Sequence, residues 1–464
     1  MTRAIPRVAG RRFLGNLAEF RSDRIGLLTR IPREYGDIAR LDVGLFAAVV
    51  ISSSELCNEV LVSKADAFVK GFGLSVFARP LLGDGLLTSE RDEHRRNRRL
   101  VSPAFVHSRI GGYARTIAAC VEEHVERLSR EKEVDLSAEM MRLTLDVVGR
   151  TMFGADLGPD TRAIGDAITE LLDHISSEIA SYLPLPPVVP SPANLRMRRV
   201  VRKLDEIVYR IIRERRARTD DSGDFLSMLL AARDQDDGSA LSDQEVRDEV
   251  MTILIAGHET TANGLAWAFS LLDRHPEQRA RLEAESDAVL AGARPELDQL
   301  SRLPCAARVF KEALRLRPPV FMIARRAARD VTIGSHHLPK GTLVIIDIVG
   351  MHHRPDYFPE PDSFVPDRFA PELERALPRH AFLPFSAGPR VCIGNHFALM
   401  EGQMALAQLA GRLRFELLHD APIVPDALLT LRPRGGVPVR VVRRDGEPRQ
   451  RRAPMSAEAP TPAE

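Results

Sequence analysis

Phe385-Ser386-Ala387-Gly388-Pro389-Arg390-Val391-Cys392-Ile393-Gly394 is the stretch on which the reading of this chain turns. It precedes a helical run from His396 to Leu413 with apolar residues at Phe397, Leu399, Met400, Met404, Leu406 and Leu409. A cysteine just before a helix start sits at the positive end of the dipole, beside unpaired backbone N–H groups, and both favour thiolate over thiol. Gly388 and Gly394 bracket it, which permits positive φ and lets another body approach the backbone closely. Arg390 adds a fixed cation. A loop that stabilises one thiolate with no neighbouring base suits an axial metal ligand better than a nucleophile, which wants histidine-based activation. The other cysteines (Cys57, Cys120, Cys305) form no CxxC or Cys/His cluster and read as small buried hydrophobes, not as a disulfide or zinc framework.

Outward from this loop, the 464 residues carry Lys+Arg 65 against Asp+Glu 64, a formal net charge of +1. That balance gives no long-range attraction to nucleic acid or an acidic membrane. No apolar run approaches the ~20 residues that span a bilayer, and the basic N-terminus lacks the apolar core of a secretory leader. A cytoplasmic protein with no membrane anchor is expected. Of the 65 basic residues only six are lysine, a composition typical of GC-rich bacterial genomes.

Helical periodicity dominates, as in Ala193–Arg218 and Pro276–Leu290. Strand-like segments cluster at Ile38–Ile51 and at Val331–Val349 around the turn Pro339-Lys340-Gly341. The fold class is mainly α with minor β. Neither a Walker loop nor a GxGxxG after a strand is present, so the chain binds no nucleotide of its own. Leu183 to Pro192 reads LPLPPVVPSP, an extended connector. The arginine-rich segment from Arg432 and the small, polar, proline-rich end predict one domain over 1–445 and a disordered tail over 446–464.

Ser242-Asp-Gln-Glu245 is a capping box, and the helical pattern then runs to His275-Pro276. About thirty residues is long for a globular helix, so it crosses the molecule. Its middle, Ala256-Gly257-His258-Glu259-Thr260-Thr261, interrupts an apolar face lined by Ile253, Ile255 and Trp267. A polar stripe turned to solvent with Gly257 as a packing notch explains this blandly. Alternatively, the Thr260 hydroxyl bonds the Ala256 carbonyl and opens the helix, and the small Ala256 and Gly257 leave room for a planar body.

FSAGPRVCIG resembles the FxxGxRxCxG haem-binding loop of the cytochrome P450 haem-thiolate monooxygenases, with Phe385, Gly388, Arg390, Cys392 and Gly394 at the motif positions. The helix segment is similar to that family's AGx[DE]TT motif, and Glu312-Ala-Leu-Arg315 with Pro366-Asp-Arg368-Phe369 to its ExxR and PxRF pair. The resemblance covers roughly Tyr35 to Val442 and implies the P450 fold, a long central helix over haem with small β-sheets. It implies haem b as cofactor with Cys392 as the proximal thiolate on iron, Phe385 packed beside the sulfur, and Glu259 with Thr260 as the acid–alcohol pair that delivers protons to bound O2. Glu312, Arg315 and Arg368 would form a buried network. His94, where many members carry Trp, would reach the haem propionates with Arg98, Arg390 and Arg325, Arg326 being the fallback. The implied pocket is Leu87, Ile255, Ala256, Val320, Phe321, Met322 and Leu429, a lipophilic set, with Pro184–Pro192 as a candidate gate. Arg91, Arg95 and Arg99 fall on the opposite stripe of the His94 helix, as a solvated face or a docking face for an electron donor. No flavin or nicotinamide motif is present, so electrons would come from a separate ferredoxin or flavodoxin with its reductase. A haem-thiolate peroxygenase or isomerase, a haem sensor and a cysteine hydrolase are the competing readings.

Overall fold

The capping box closes as the sequence dictates: Ser242 Oγ accepts from the Glu245 N–H at 3.3 Å while Glu245 Oε2 accepts from the Ser242 N–H at 2.7 Å. The helix it starts runs for 32 residues, Asp243–Arg274, and stops where Pro276 opens the next. The computed structural model describes residues 4–444 apart from 11–14, 45, 159, 180, 182–183, 219–222 and 235–237. The expected tail over 446–464 and the first connector residue, Leu183, lie outside the described residues.

Ten described helices exceed ten residues: α1 (Arg24–Tyr35), α2 (Arg91–Val101), α3 (His107–Leu128), α4 (Leu136–Met152), α5 (Thr161–Ile179), α6 (Pro192–Ala217), α7 (Asp243–Arg274), α8 (Pro276–Leu290), α9 (Pro304–Leu316) and α10 (Asn395–Arg412). At about 1.5 Å per residue, α7 spans roughly 48 Å. It packs on α4, α9 and α10 in one large apolar core. Ser191 caps α6, its Oγ accepting from the Asn194 N–H at 3.2 Å. Asn194 Nδ2 in turn donates to the Pro186 and Val189 carbonyls, both at 3.0 Å, so the described part of the proline-rich connector is tied to α6.

The strands are β1 (Ile38–Val43), β2 (Phe46–Ile51), β3 (Phe68–Lys70), β4 (Glu133–Asp135), β5 (Met322–Ala327), β6 (Val331–Ile333), β7 (His336–Leu338), β8 (Leu343–Asp347), β9 (Leu413–Leu417), β10 (Pro425–Ala427), β11 (Leu431–Pro433) and β12 (Pro438–Arg443). Five form one sheet in the order β1-β2-β8-β5-β3, with β2 parallel to β8. Alternation divides its faces. Val49, Ile51, Val344 and Ile346 point into one core, while Ala48, Val50 and Ile345 point to the other, against α1. The remaining strands make a three-stranded sheet and two hairpins.

The buried side of α9 holds the second fixture of the fold. Glu312 and Arg315 are both 0 % exposed. All five Arg315 N–H groups are used: Nε and Nη2 meet the two Glu312 oxygens at 2.7 and 2.8 Å, Nη1 donates to the His352 and Pro361 carbonyls, and Nη2 also reaches Ser363 O. Glu312 Oε1 accepts from the Val365 N–H at 2.9 Å and lies 3.4 Å from Arg368 Nε. The three charged side chains named from sequence therefore meet, and they fix the 352–368 segment that leads into the cysteine loop.

Candidate active site

Between Val246 and Ser270, every residue of α7 is buried except Ala256, Gly257 and Thr260. The opening is confined to those three residues of an otherwise enclosed helix, so it leaves room for another body against that face. Thr260 Oγ1 donates to Ala256 O at 2.9 Å, as expected, yet the α-helix runs on unbroken through the segment. Gly257 is also a packing notch, since a Cβ there would stand 3.1 Å from Val148 of α4. His258 is buried, bonded through Nδ1 to Leu254 O at 2.6 Å and pushed down to about 4 by burial.

Glu259 reaches the loop ahead of β11. Its Oε1 accepts from Thr430 Oγ1 at 2.5 Å, and its Oε2 is buried with no hydrogen-bond partner. Burial raises its pKa above the usual carboxylate value against the opposing hydrogen bond from Thr430 and the field of Arg432, with Asp173 adding to the rise. Thr430 is a residue sequence reasoning missed; only its place beside Leu429 in the hairpin loop hinted at it.

The cysteine loop is pinned from outside. The Cys392 N–H donates to Phe385 O at 2.9 Å, and the Val391 N–H to Gly388 O at 3.0 Å. Gly388 adopts φ +70°, and a Cβ there would lie 1.9 Å from Leu61 O. Gly394 does not use the positive φ it permits: at φ −91° it is the N-cap of α10, and the second left-handed residue is Ser386 at φ 60°. A side chain on Gly394 would meet nothing nearer than Phe105 at 3.9 Å. The glycine pair thus divides the work, Gly388 allowing a tight turn under Leu61 and Gly394 leaving the loop surface open.

Cys392 is accessible at the foot of the loop. Burial pushes its thiol up, opposed by the Gly394 N–H and then by Arg98. No imidazole is among the groups that act on it, so the arrangement lacks the base a cysteine nucleophile wants.

Around the loop, basic groups from four elements converge. Arg98 of α2 donates through Nη1 to Val391 O at 2.8 Å, and Arg390 pairs with Glu90 and donates to Ser89 O at 3.3 Å. Buried Arg325 of β5 lies in register with buried Lys70 of β3, whereas Arg326, the fallback, is exposed. Burial and the fields of Arg390, Lys70, Arg98 and Arg325 hold His94 down to about 3. Burial, Arg390 and Arg325 bring Lys70 to about 7 against the pull of Glu90 and Glu249. Lys70 also donates to Leu86 O at 3.3 Å and Ser89 O at 2.5 Å. Sequence reasoning missed Lys70 because its partners come from β5 and the cysteine loop, far away along the chain. A cluster in which Arg390 and Arg325 depress both His94 and Lys70 is one that anionic groups placed among them would stabilise.

The implied pocket is only partly realised. Leu87, Val320, Met322 and Leu429 are half-buried, and Ala256 is accessible. Phe321 is a correction: at 1 % exposure it is in the sheet core against α1, with the Arg24 guanidinium 6.0 Å from its ring centroid. Ile255, one position round the helix from Ala256, is likewise turned into the main core at 5 % exposure.

An accessible sulfur donor with bases converging on its loop, and a long helix with an accessible stretch of small residues and a hydroxyl, are the parts of a site for a large anionic cofactor. The chain belongs to the cytochrome P450 family, whose model matches residues 6–437. It is 38% identical over 399 residues to cyclooctatin synthase of Streptomyces melanosporofaciens (86% of this chain, 87% of that one). It is 34% identical over 400 residues to pentalenene oxygenase of Streptomyces avermitilis (86% and 88%). A third relative, cyclooctat-9-en-7-ol 5-monooxygenase of S. melanosporofaciens, is 36% identical over 383 residues (82% and 83%). The protein is accordingly a P450 monooxygenase, an oxidoreductase that uses haem b and acts on lipophilic small molecules. Its residues fit that cofactor: an accessible thiol, a cationic surround for two carboxylates, and a window clear of large side chains. No described helix is long and apolar enough to cross a membrane.

The two glycines give a paired test. Gly388→Ala should destabilise the chain by about 2–5 kcal/mol, combining a left-handed alanine with a backbone clash that cannot yield. Gly394→Ala should leave the denaturation midpoint of the cofactor-free chain within about 1 kcal/mol of wild type while weakening haem retention. Equal midpoints for the two variants would contradict this division of roles.

Proposed function

We propose that the protein hydroxylates a cyclic terpenoid, with Cys392 as the proximal ligand and Thr260 and Glu259 as the proton-delivering pair. The observation that carries this is the window Ala256–Gly257–Thr260, with Glu259 buried directly behind it. Haem b, when bound, supplies the redox chemistry that puts one oxygen atom of O2 into the substrate and the other into water.

The chain's own groups hold that chemistry in place. Cys392 would hold the iron, with the Gly394 N–H and Arg98 favouring its thiolate form. His94, Arg98, Arg325 and Arg390, joined by Lys70, would bind the propionates. Phe385, half-buried against the main core, would pack beside the sulfur. Thr260 holds its hydroxyl at the cavity, and Glu259 stores a proton in a buried carboxyl, the task of a general acid. Leu87, Ala256, Val320, Met322 and Leu429 would orient an apolar substrate by shape. The names of the Streptomyces relatives support the terpenoid class, and the apolar lining is consistent with it.

Electrons would come from a separate ferredoxin or flavodoxin with its reductase, in the cytoplasm. Arg91, Arg95 and Arg99 of α2 are all exposed, which supports docking of an acidic carrier there. One domain over 1–445 carries all of these parts.

Thr260→Ala tests the proton assignment. Electron consumption should continue while product per electron falls by about tenfold or more and peroxide accounts for the difference; unchanged coupling would sink it. Terpenoid hydrocarbons and alcohols screened against fatty acids for the high-spin spectral shift test the substrate class. A shift with fatty acids alone would overturn it.

A further inference from the structure

We infer that Thr430, oriented by Asn263, is a positioning residue that fixes which oxygen of Glu259 carries the proton and stabilises the carboxylate left when that proton departs. The inference rests on Glu259 as the proton donor and adds a second element, the loop ahead of β11, to a function otherwise confined to α7. The geometry is directional. Asn263 Nδ2, one helical turn beyond Glu259, donates to Thr430 Oγ1 at 3.4 Å. With that N–H pointing at the hydroxyl oxygen, the Thr430 O–H is directed to Glu259 Oε1, 2.5 Å away. Oε1 is thereby an acceptor, and the proton of the neutral acid resides on Oε2, the buried oxygen with no protein partner.

The transfer is balanced by the same contact. The Oε2–H bond breaks, its electron pair stays on the carboxylate, and a water molecule accepts the proton and carries it to the cavity beside Thr260. The negative charge spreads to Oε1, where the Thr430 donor is already aimed, and a hydrogen bond to a charged acceptor is stronger than one to a neutral acceptor. A hydronium proton relayed from bulk solvent then restores the Oε2–H bond, leaving water. The charged groups acting on this carboxyl from neighbouring elements are Arg432 of β11 and Asp173 of α5, paired with each other. On α7 itself, the adjacent His258 is buried and neutral.

Thr430→Val keeps the shape and deletes the donor. Losing a hydrogen bond to the ionised form raises the Glu259 pKa, so the basic limb of the product-formation profile should move up by about one pH unit. Coupling should fall several-fold while the spectral dissociation constant for substrate stays within twofold. Thr430→Ser, which restores the hydroxyl, should recover both. An independent readout is the Glu259 carboxyl C=O band in infrared difference spectra of the resting protein, assigned by its absence in Glu259→Gln and titrated with pH; it should show the same upward shift in Thr430→Val. An unmoved band and profile in Thr430→Val, with Glu259→Gln impaired, would overturn the role of Thr430. An unimpaired Glu259→Gln would instead overturn the proton-donor reading beneath it.

Discussion

Cys392→Ser is expected to fold, to fall to background turnover, and to lose the thiolate-type spectrum of the reduced carbonyl complex. The substitution changes one atom for a slightly smaller one, so helix content by circular dichroism should match wild type. The chemistry changes far more. The groups around position 392 are arranged for a negative sulfur: the Gly394 N–H and the Arg98 guanidinium both favour the charged form, against a burial cost that favours the neutral thiol. Metal coordination removes the thiol proton and resolves that opposition. A serine hydroxyl stays protonated in the same surroundings and donates no comparable charge to the iron. Retention of the thiolate spectrum in this variant would refute the ligand assignment outright.

The second large effect is structural. Arg315→Met should destabilise the protein by at least about 3–5 kcal/mol, because it strands the Glu312 carboxylate at 0 % exposure. Three carbonyls, of His352, Pro361 and Ser363, lose their donor in the same step. Arg315→Lys should recover only part of the loss, since an ammonium has three donors where the guanidinium uses five in a fixed plane. Arg368→Met should cost clearly less, its side chain being 13% exposed and its contact with Glu312 a single one at 3.4 Å. Chemical denaturation of the three variants checks the order; an Arg368 variant as damaged as Arg315→Met would contradict the account of the network.

Much of the helical frame was legible because its signals are local. The capping box at Ser242 and Pro276 after the long helix each mark a boundary within a few residues, and those boundaries hold. The strand pair within Ile38–Ile51 was legible for the same reason. What stayed hidden depends on partners distant in the chain. Lys70 joins the base cluster only because β3 pairs with β5, and Thr430 meets Glu259 across 171 residues. Phe321 was misplaced because a lipophilic residue beside a cavity and one facing the sheet core look alike in sequence; only the direction of the chain after Pro319 separates them. Which of the bracketing glycines uses the positive φ they permit was not legible: Gly388 does, and Ser386 rather than Gly394 is the other left-handed residue, since a motif records which residues recur but not which torsion each adopts.

The parallel pairing of β2 with β8 carries a consequence for biosynthesis. Ser52 and Asp347, joined at the end of that ladder, are 295 residues apart. During translation at about 5–20 residues per second, the emerging β2 strand waits roughly 15–60 s for its partner. Through that interval the run Ala48-Val49-Val50-Ile51 presents an unpaired apolar edge, a template for sticking to other nascent chains. Yield from a heterologous host should therefore respond to slower growth and added chaperone well before it responds to cofactor supply.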